Sequence, residues 1–325
     1  MKYSALIIGL GNIGLQYDKD QFEDLSSVLS HTKALYYSND FDIIAGIDID
    51  ERKRDLFYKL TGSKTFSSLN NIEKEISEVD LVVISSPTET HLKIIKQVIT
   101  YIKPKIILCE KPLSYNLKDS KKIIEICKKN KVELLINFPR RVEKSIVEIK
   151  KIISKNKYFK GTVYYSNGLI NNAIHFIDII TFLFGEYKKM ELLNINKKYN
   201  ERDDYDVDFK ICFNKGEIYF ISWPEKFYSN YKMEIYTDSN RISYDNNGSN
   251  SFLNNVVEDP NYSNHNYISK INIDIDNNLN VSILSVYEEV LNLLNGEIGR
   301  HELSNTKQME NVHKIIHELK TKINE

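Results

Sequence analysis

Three glycines constrain this chain more than any other feature. In Leu6-Ile7-Ile8-Gly9-Leu10-Gly11-Asn12-Ile13-Gly14, an apolar run of strand length that begins at Tyr3 ends directly in a GxGxxG pattern. Glycine first permits a tight turn out of the strand, second lets the backbone approach a pyrophosphate, and third lets a helix pack closely on the strand. Gly9, Gly11 and Gly14, with Asn12 and Ile13 between them, therefore suit a turn whose backbone amides hold phosphate. A second apolar run, Phe41 to Ile47, ends at Asp48. A carboxylate there can accept hydrogen bonds from both hydroxyls of a ribose and repels a 2′-phosphate, which favours NAD over NADP. Arg52 and Arg54 follow and weigh the other way, since a guanidinium suits a phosphate.

Asp48 lies farther from Gly14 than the usual spacing of about 20 residues. An insertion over residues 15–35, carrying Tyr17, Asp18 and His31, accounts for the difference. It either covers the site or forms a surface loop. Further apolar runs at Leu81 to Ser85, Ile106 to Cys109 and Val132 to Ile136 lack alternation, as strands buried on both faces do. Helical spacing appears between them at Leu92, Ile95, Val98 and Ile99, and again at Ile123, Ile124 and Cys127. Strands alternating with helices predict an α/β fold with a doubly wound parallel sheet of the Rossmann type.

A chain of 325 residues exceeds one ordinary core, and the pattern changes near Phe138. The expected division is a dinucleotide-binding domain over 1–137 and an α+β substrate-binding and oligomerisation domain over 138–325. Val142, Ile146, Ile149 and Ile153 mark a helix, and residues 171–184 mark another. From Met190 to Ile275 short runs such as Asp208 to Phe213, Glu217 to Trp223 and Met233 to Thr237 predict a large, mainly antiparallel sheet. Trp223 and the tyrosines of this stretch are expected in the core or at a subunit interface. The polar, Asn-rich stretch from Asp245 to Asn266 reads as an exposed loop. Helices near Val281 to Leu294 and Thr306 to Ile323 close the chain, with Ser304 as N-cap and His301, His313 and His317 on the surface.

Lys and Arg number 44 against 45 Asp and Glu, so no basic field exists to hold nucleic acid or an anionic membrane surface. No run reaches the length of a membrane span. Cys109, Cys127 and Cys212 form neither a CxxC pair nor a metal-ligand cluster, so no metal is expected and a reduced, cytoplasmic setting is.

Ser85-Ser86-Pro87-Thr88-Glu89-Thr90-His91 follows the third long strand and Glu110-Lys111-Pro112 the fourth. Both fall at carboxyl ends of parallel strands, where open α/β sheets bind ligands. With GLGNIG, Asp48 and His175-Phe176-Ile177-Asp178, this ordered set resembles the glucose-fructose oxidoreductase and inositol dehydrogenase family, Gfo/Idh/MocA. The resemblance covers nearly the whole chain, including closing helices that return beside the first domain. It implies an NAD(P)-dependent dehydrogenase or reductase acting on a CH–OH group of a sugar, or a nucleotide-linked sugar of polysaccharide biosynthesis, assembled as a homodimer or homotetramer. Because this architecture also hosts non-catalytic members, a dinucleotide-sensing binding protein is the second reading.

The resemblance makes Lys111 the residue that meets the nicotinamide end and the substrate hydroxyl, with Glu110 and a cis Lys-Pro bond to Pro112 fixing it. His175 becomes the acid/base histidine. Removing a hydroxyl proton as hydride leaves needs a base poised near neutral pH, and a desolvated lysine or a histidine can supply one. Relatives commonly carry Asp where Asn171 stands; an amide can hydrogen-bond but exchanges no proton, which leaves Lys111 and His175 as the titrating pair and Lys111 without that anion. Ser85, Ser86, Pro87, Thr88, His91 and Asn137 are expected beside the cofactor, and His91 is expected to order the Ser86 to Thr90 turn. Asn172 joins Asn171 at the substrate, and Arg140 and Arg141 are either anion-binding residues there or a surface helix start.

Overall fold

A computed structural model describes residues 2–72, 76, 78–201, 203–297, 303 and 306–325, so His301 and Ser304 lie outside the described residues. Strands β1 (Tyr3–Ile8), β2 (Phe41–Ile47), β3 (Lys64–Phe66), β4 (Leu81–Ile84), β5 (Ile106–Glu110) and β6 (Glu133–Asn137) form a wholly parallel sheet in the order β3-β2-β1-β4-β5-β6. That order is the doubly wound dinucleotide-binding arrangement. Helices α1 (His31–Tyr36), α2 (Glu51–Thr61), α3 (His91–Tyr101) and α4 (Leu117–Lys129) connect the strands. The short β3 is not legible in the sequence: one exposed and two half-buried residues give no apolar run.

The rest of the chain supplies α5 (Lys144–Ser154), β7 (Phe159–Tyr165), α6 (Ile174–Phe184), β8 (Lys189–Tyr199), β9 (Asp204–Cys212), β10 (Gly216–Ser222), β11 (Lys232–Thr237), β12 (Asn240–Asp245), β13 (Asn250–Glu258), β14 (Asn266–Ile268), β15 (Ile273–Asp274), α7 (Ser282–Leu294) and α8 (Thr306–Asn324). A nine-stranded sheet runs β14-β13-β12-β11-β7-β10-β9-β8, with β15 on β13. Its pairings are antiparallel except β10 with β7. The expected loop from Asp245 to Asn266 is corrected here, because the nine-residue β13 lies at its centre. Ser251 and Asn254 are buried, and the Asn254 amide donates to Ile271 O (2.9 Å) and Asn272 Oδ1 (2.8 Å). Pairing and amide bonds, which a count of asparagines does not reveal, override the weak strand propensity.

The chain groups into two compact units. One is Met1–Val142 with Asn280–Glu310, and the other is Glu143–Leu279 with Asn311–Glu325. The expected divide lies after residue 137, with the closing segments in the second domain. The assignment of 280–310 has a physical reason within the first unit: α7 contributes Ile283, Val286, Tyr287 and Val290 to the cluster that holds Ala5, Leu35, Phe41 and Val142. Among the described residues no helix is long and apolar enough to cross a membrane.

Candidate active site

All six strands of the first sheet point the same way, so the residues at their carboxyl ends share one edge. The glycine turn leaves β1, Asp48 follows β2, Ser85 to Thr88 follow β4, Glu110 ends β5 before Lys111, and Asn137 ends β6. Each glycine has a separate steric reason. Gly9 holds φ of +96°, and a Cβ there would stand 2.5 Å from Ser86 N. A Cβ on Gly14 would stand 2.1 Å from Gly9 O, whereas one on Gly11 would meet nothing within 4 Å. Two glycines thus close the turn and the third presents open backbone, the arrangement a pyrophosphate needs. Ser85 Oγ donates to Gly9 O (2.7 Å), tying the turn to β4.

The helix expected directly after Gly14 is interrupted. Leu15 and Gln16 donate to Gly11 O (2.8 and 3.0 Å), closing one turn, and the chain then departs. It returns at α1, where His31 N donates to Ile13 O (2.9 Å) and Thr32 N to Gly14 O (3.0 Å). The insertion is therefore a loop spliced into a helix, and its return is pinned. Lys33, fully buried, donates from Nζ to Gln21 O (2.7 Å), Asp24 O (2.6 Å) and Ser27 O (2.7 Å), which occupies every donor of the ammonium. Asp18 accepts from Leu29 N (3.0 Å) and Ser30 N (2.7 Å).

Asp48 Oδ2 accepts from Leu10 N (2.8 Å) and Oδ1 from Asp50 N (2.9 Å), and each oxygen keeps further lone-pair capacity. Arg54 Nη1 donates to Asp48 O (2.9 Å) and Ile49 O (3.0 Å), so its guanidinium is turned to backbone carbonyls. His91 is fully buried, with Nε2 on Ser86 O (2.9 Å) and Nδ1 near Leu113 O (3.2 Å) and Cys109 Sγ (3.4 Å). Burial pushes its pKa down against the raising effect of those carbonyls. Burial also pushes the Cys109 thiol well above its ordinary range, so it can donate to Nδ1. His91 orders the Ser86 turn as expected, from within the core.

Glu110 lies at the centre of a network that crosses the first unit. Its Oε1 accepts from Asn137 Nδ2 (2.6 Å) and meets His31 Nε2 (3.0 Å), while Oε2 accepts from Lys111 N (3.3 Å). His31 Nδ1 lies 2.7 Å from Tyr287 Oη. Burial pushes the Glu110 pKa up, but the His31 bond and charge, the Asn137 bond and the Lys111 charge outweigh it and hold the group below its ordinary value. An ionised carboxylate thus stands next to Lys111 even though residue 171 is an amide. The Lys111-Pro112 peptide is cis.

In the second unit, Asn171 stands in a π-helical turn (Leu169–Ala173) that runs into α6, and His175 is the second residue of that helix. The turn is held by acids from β9. Asp206 Oδ1 accepts from Gly168 N (2.8 Å), where φ is +100°, and Asp204 accepts from Ile170 N (3.0 Å) and Asn171 N (3.1 Å). Asn171 is exposed and His175 half-buried. Asn172 donates its amide to Ser166 O (3.0 Å) and Tyr231 Oη (2.7 Å), so that nitrogen is engaged within the unit. Arg141 is not on a surface: it is fully buried in the first unit, with Nη1 on Gln308 Oε1 (2.7 Å). Arg140 is half-buried. His313, expected on the surface, is 6% exposed, because it falls on the apolar face of α8 between Val312 and Ile316; His317 is exposed. Sequence reading passed over Asp204 and Asp206, although Asp204, Asp206 and Asp208 alternate with Tyr205, Val207 and Phe209, a period-two signal of acids sharing one strand face.

A doubly wound sheet with a glycine turn after β1 and an acid after β2 is the arrangement of dinucleotide-binding folds. Residues 3–138 match the family model described as an oxidoreductase family with NAD-binding Rossmann fold, GFO_IDH_MocA. It is 25% identical over 266 residues to the myo-inositol 2-dehydrogenase of Thermotoga maritima, covering 74% of each chain. Against the inositol 2-dehydrogenase of Salmonella typhimurium the identity is 24% over 208 residues, covering 59% of this chain and 58% of that one. The solved UDP-N-acetylglucosamine 3-dehydrogenase of Acidithiobacillus ferrooxidans shares the fold, with a TM-score of 0.74, 14% identity and coverage of 99% of this chain and 97% of that one.

Proposed function

We propose that this protein moves hydride between NAD(H) and a secondary ring alcohol or ketone of a sugar, a nucleotide-linked sugar or a cyclitol. The observation that carries the proposal is one sheet edge holding the glycine turn, Asp48 and the Glu110-Lys111 pair in strand order. The turn and Asp48 would hold the dinucleotide, which when bound supplies the hydride acceptor or donor. NAD is favoured over NADP because the Asp48 carboxylate keeps capacity for ribose hydroxyls and would repel a 2′-phosphate. The named substrates of the relatives, inositol and a nucleotide-linked amino sugar, both present secondary ring hydroxyls.

The chain itself supplies proton handling. In the oxidative direction Lys111, in its neutral form, takes the hydroxyl proton, and in reduction its ammonium returns one to the forming alkoxide. His175 is the second titrating group, and Asn171 orients a hydroxyl by hydrogen bonding without exchanging a proton. Arg140, half-buried, and Arg141, buried with Nη1 on Gln308, are the anion-binding candidates.

The test pairs NAD+ and NADP+ with myo-inositol, free hexoses and UDP-linked sugars, and repeats the productive pairing with Lys111→Ala. Turnover with NAD+ preferred is expected, and the variant should lose about a thousandfold in kcat with NADH binding changed less than about threefold. NADH binding by the wild type without turnover in either direction, or full turnover by the variant, would overturn the proposal.

A further inference from the structure

The insertion that splits the first helix delivers His31 to a place no dinucleotide-binding motif assigns it. Fully buried at the start of α1, it joins Glu110 on β5 to Tyr287 on α7, with Nε2 3.0 Å from Glu110 Oε1 and Nδ1 2.7 Å from Tyr287 Oη. Tyr287 is itself buried, and burial raises its pKa well above the ordinary range, so its hydroxyl keeps the proton. In either protonation state of the ring the line is satisfied: Nε2–H donates to the carboxylate, and Nδ1 accepts from the tyrosine hydroxyl when the ring is neutral or donates to it when the ring is charged. Asn137 gives the same carboxylate its amide at 2.6 Å while its own Oδ1 stays buried without a partner. A buried acceptor left unmatched carries a cost of about 1–3 kcal/mol, so the side chain is oriented toward Glu110 at the expense of its own carbonyl.

We propose that His31 is a positioning residue for the chemistry at Lys111, acting through Glu110, and that the Lys33- and Asp18-pinned insertion serves to fix it there. The inference rests on the oxidoreductase reading above. Glu110 precedes Lys111 in the chain and accepts from its backbone amide, so the carboxylate's position fixes where the lysine's main chain turns toward the cis proline. Side chains from α1 and β6 hold the Glu110 carboxylate directly, and Tyr287 on α7 holds the histidine in turn. The ionisable groups around it are His31, Tyr287, Lys111, His91 and Cys109. Of these, His31 provides the largest influence that holds Glu110 ionised.

The experiment compares wild type, His31→Phe and His31→Gln, with Tyr287→Phe as a milder variant should the first fail to fold. Two properties are read. In the apo-protein carrying carboxyl-labelled glutamate, the Glu110 titration midpoint, assigned with Glu110→Gln, should rise by about one pH unit in His31→Phe and return most of the way in His31→Gln, which restores a donor. In the holoenzyme, kcat should fall roughly ten- to a hundredfold in His31→Phe with KM and NADH affinity changed less than about threefold, and recover in His31→Gln. Tyr287→Phe should move both properties the same way by less. An unmoved Glu110 midpoint, or equal losses in the phenylalanine and glutamine variants, would reduce His31 to a packing residue and overturn the proposal. If the wild type turns over no sugar, the oxidoreductase reading fails, while the carboxyl titration still decides whether His31 holds Glu110.

Discussion

The glycine turn at the end of β1 and the π-helical turn before α6 are positioned by opposite means. The first is fixed by missing side chains: Gly9 and Gly14 allow backbone contacts that a Cβ would block. The second is fixed by side chains from elsewhere in the chain, as Asp204 and Asp206 reach from β9 to the amides of Gly168, Ile170 and Asn171. A turn built by omission is written locally and reads as a motif. A turn held by distant acceptors is written in two places, and neither half is conspicuous alone. The two should also fail differently when perturbed.

The sharpest break in the comparison is Asp204→Ala. It strips acceptors from the amides of Ile170, Asn171 and Tyr205, and at about 1–3 kcal/mol per buried orphan the second unit should lose about 3–5 kcal/mol. Urea unfolding is the measurement, and Asp204→Asn, which keeps an acceptor oxygen, should lose less than half as much. A loss below about 1 kcal/mol for the alanine variant would mean that the turn is held by its own helical bonds, and the contrast with the glycine turn would disappear.

A pH scan sharpens the contrast next, because each unit buries a histidine differently. His91 has both ring nitrogens near partners, and its pKa falls by burial against opposing hydrogen bonds. His313 is pushed down to about 4 by burial alone. An unfolded histidine titrates near 6.5, so between pH 6.5 and 4 the unfolded chain binds the extra proton. Stability is therefore full above pH 6.5 and is lost as the pH falls toward 4, by about 3 kcal/mol at most for His313. Far-ultraviolet unfolding curves across that window should slope accordingly, and His313→Leu should flatten them; an unchanged slope would place the acid sensitivity elsewhere.

These differences explain what could be read in advance. Strands β1, β2, β4, β5 and β6 were legible because burial on both faces makes continuous apolar runs, and the glycine turn because Gly9 and Gly14 leave no room for a Cβ. Lys111, Asn137 and Asp48 followed from their places at strand ends. What escaped depends on partners far apart in sequence: β13, whose buried Asn254 finds its bonds at Ile271 and Asn272; Asp204 and Asp206, which look like solvated acids until the turn they hold is seen; and His313, whose helical face is apolar only when α8 is set on its core. The surface alternative for Arg141 fails for the same reason, since a guanidinium bonded to Gln308 can be buried where an unpaired one cannot. His31 was noticed as part of an insertion, yet its neighbours Glu110 and Tyr287 stand far away along the chain.

The smallest expected change in stability is the most informative about the glycine turn. Gly11 has a negative φ and open space where a Cβ would stand, so Gly11→Ala should fold with a melting temperature within about 2 °C of wild type. If that open space is where a pyrophosphate meets the backbone, the added methyl group must hold the phosphates off the amides. Dinucleotide affinity should then fall by about tenfold or more, the loss of about 1.4 kcal/mol of phosphate contact. NADH fluorescence titration beside a thermal melt separates the two effects. Unchanged affinity at unchanged stability would move the phosphate site away from Gly11 and leave Gly9 and Gly14 as features of the fold alone. Lost affinity at unchanged stability would show that one of the three glycines is kept for what approaches from outside, the one respect in which the turn built by omission serves a partner and the turn built by acids serves itself.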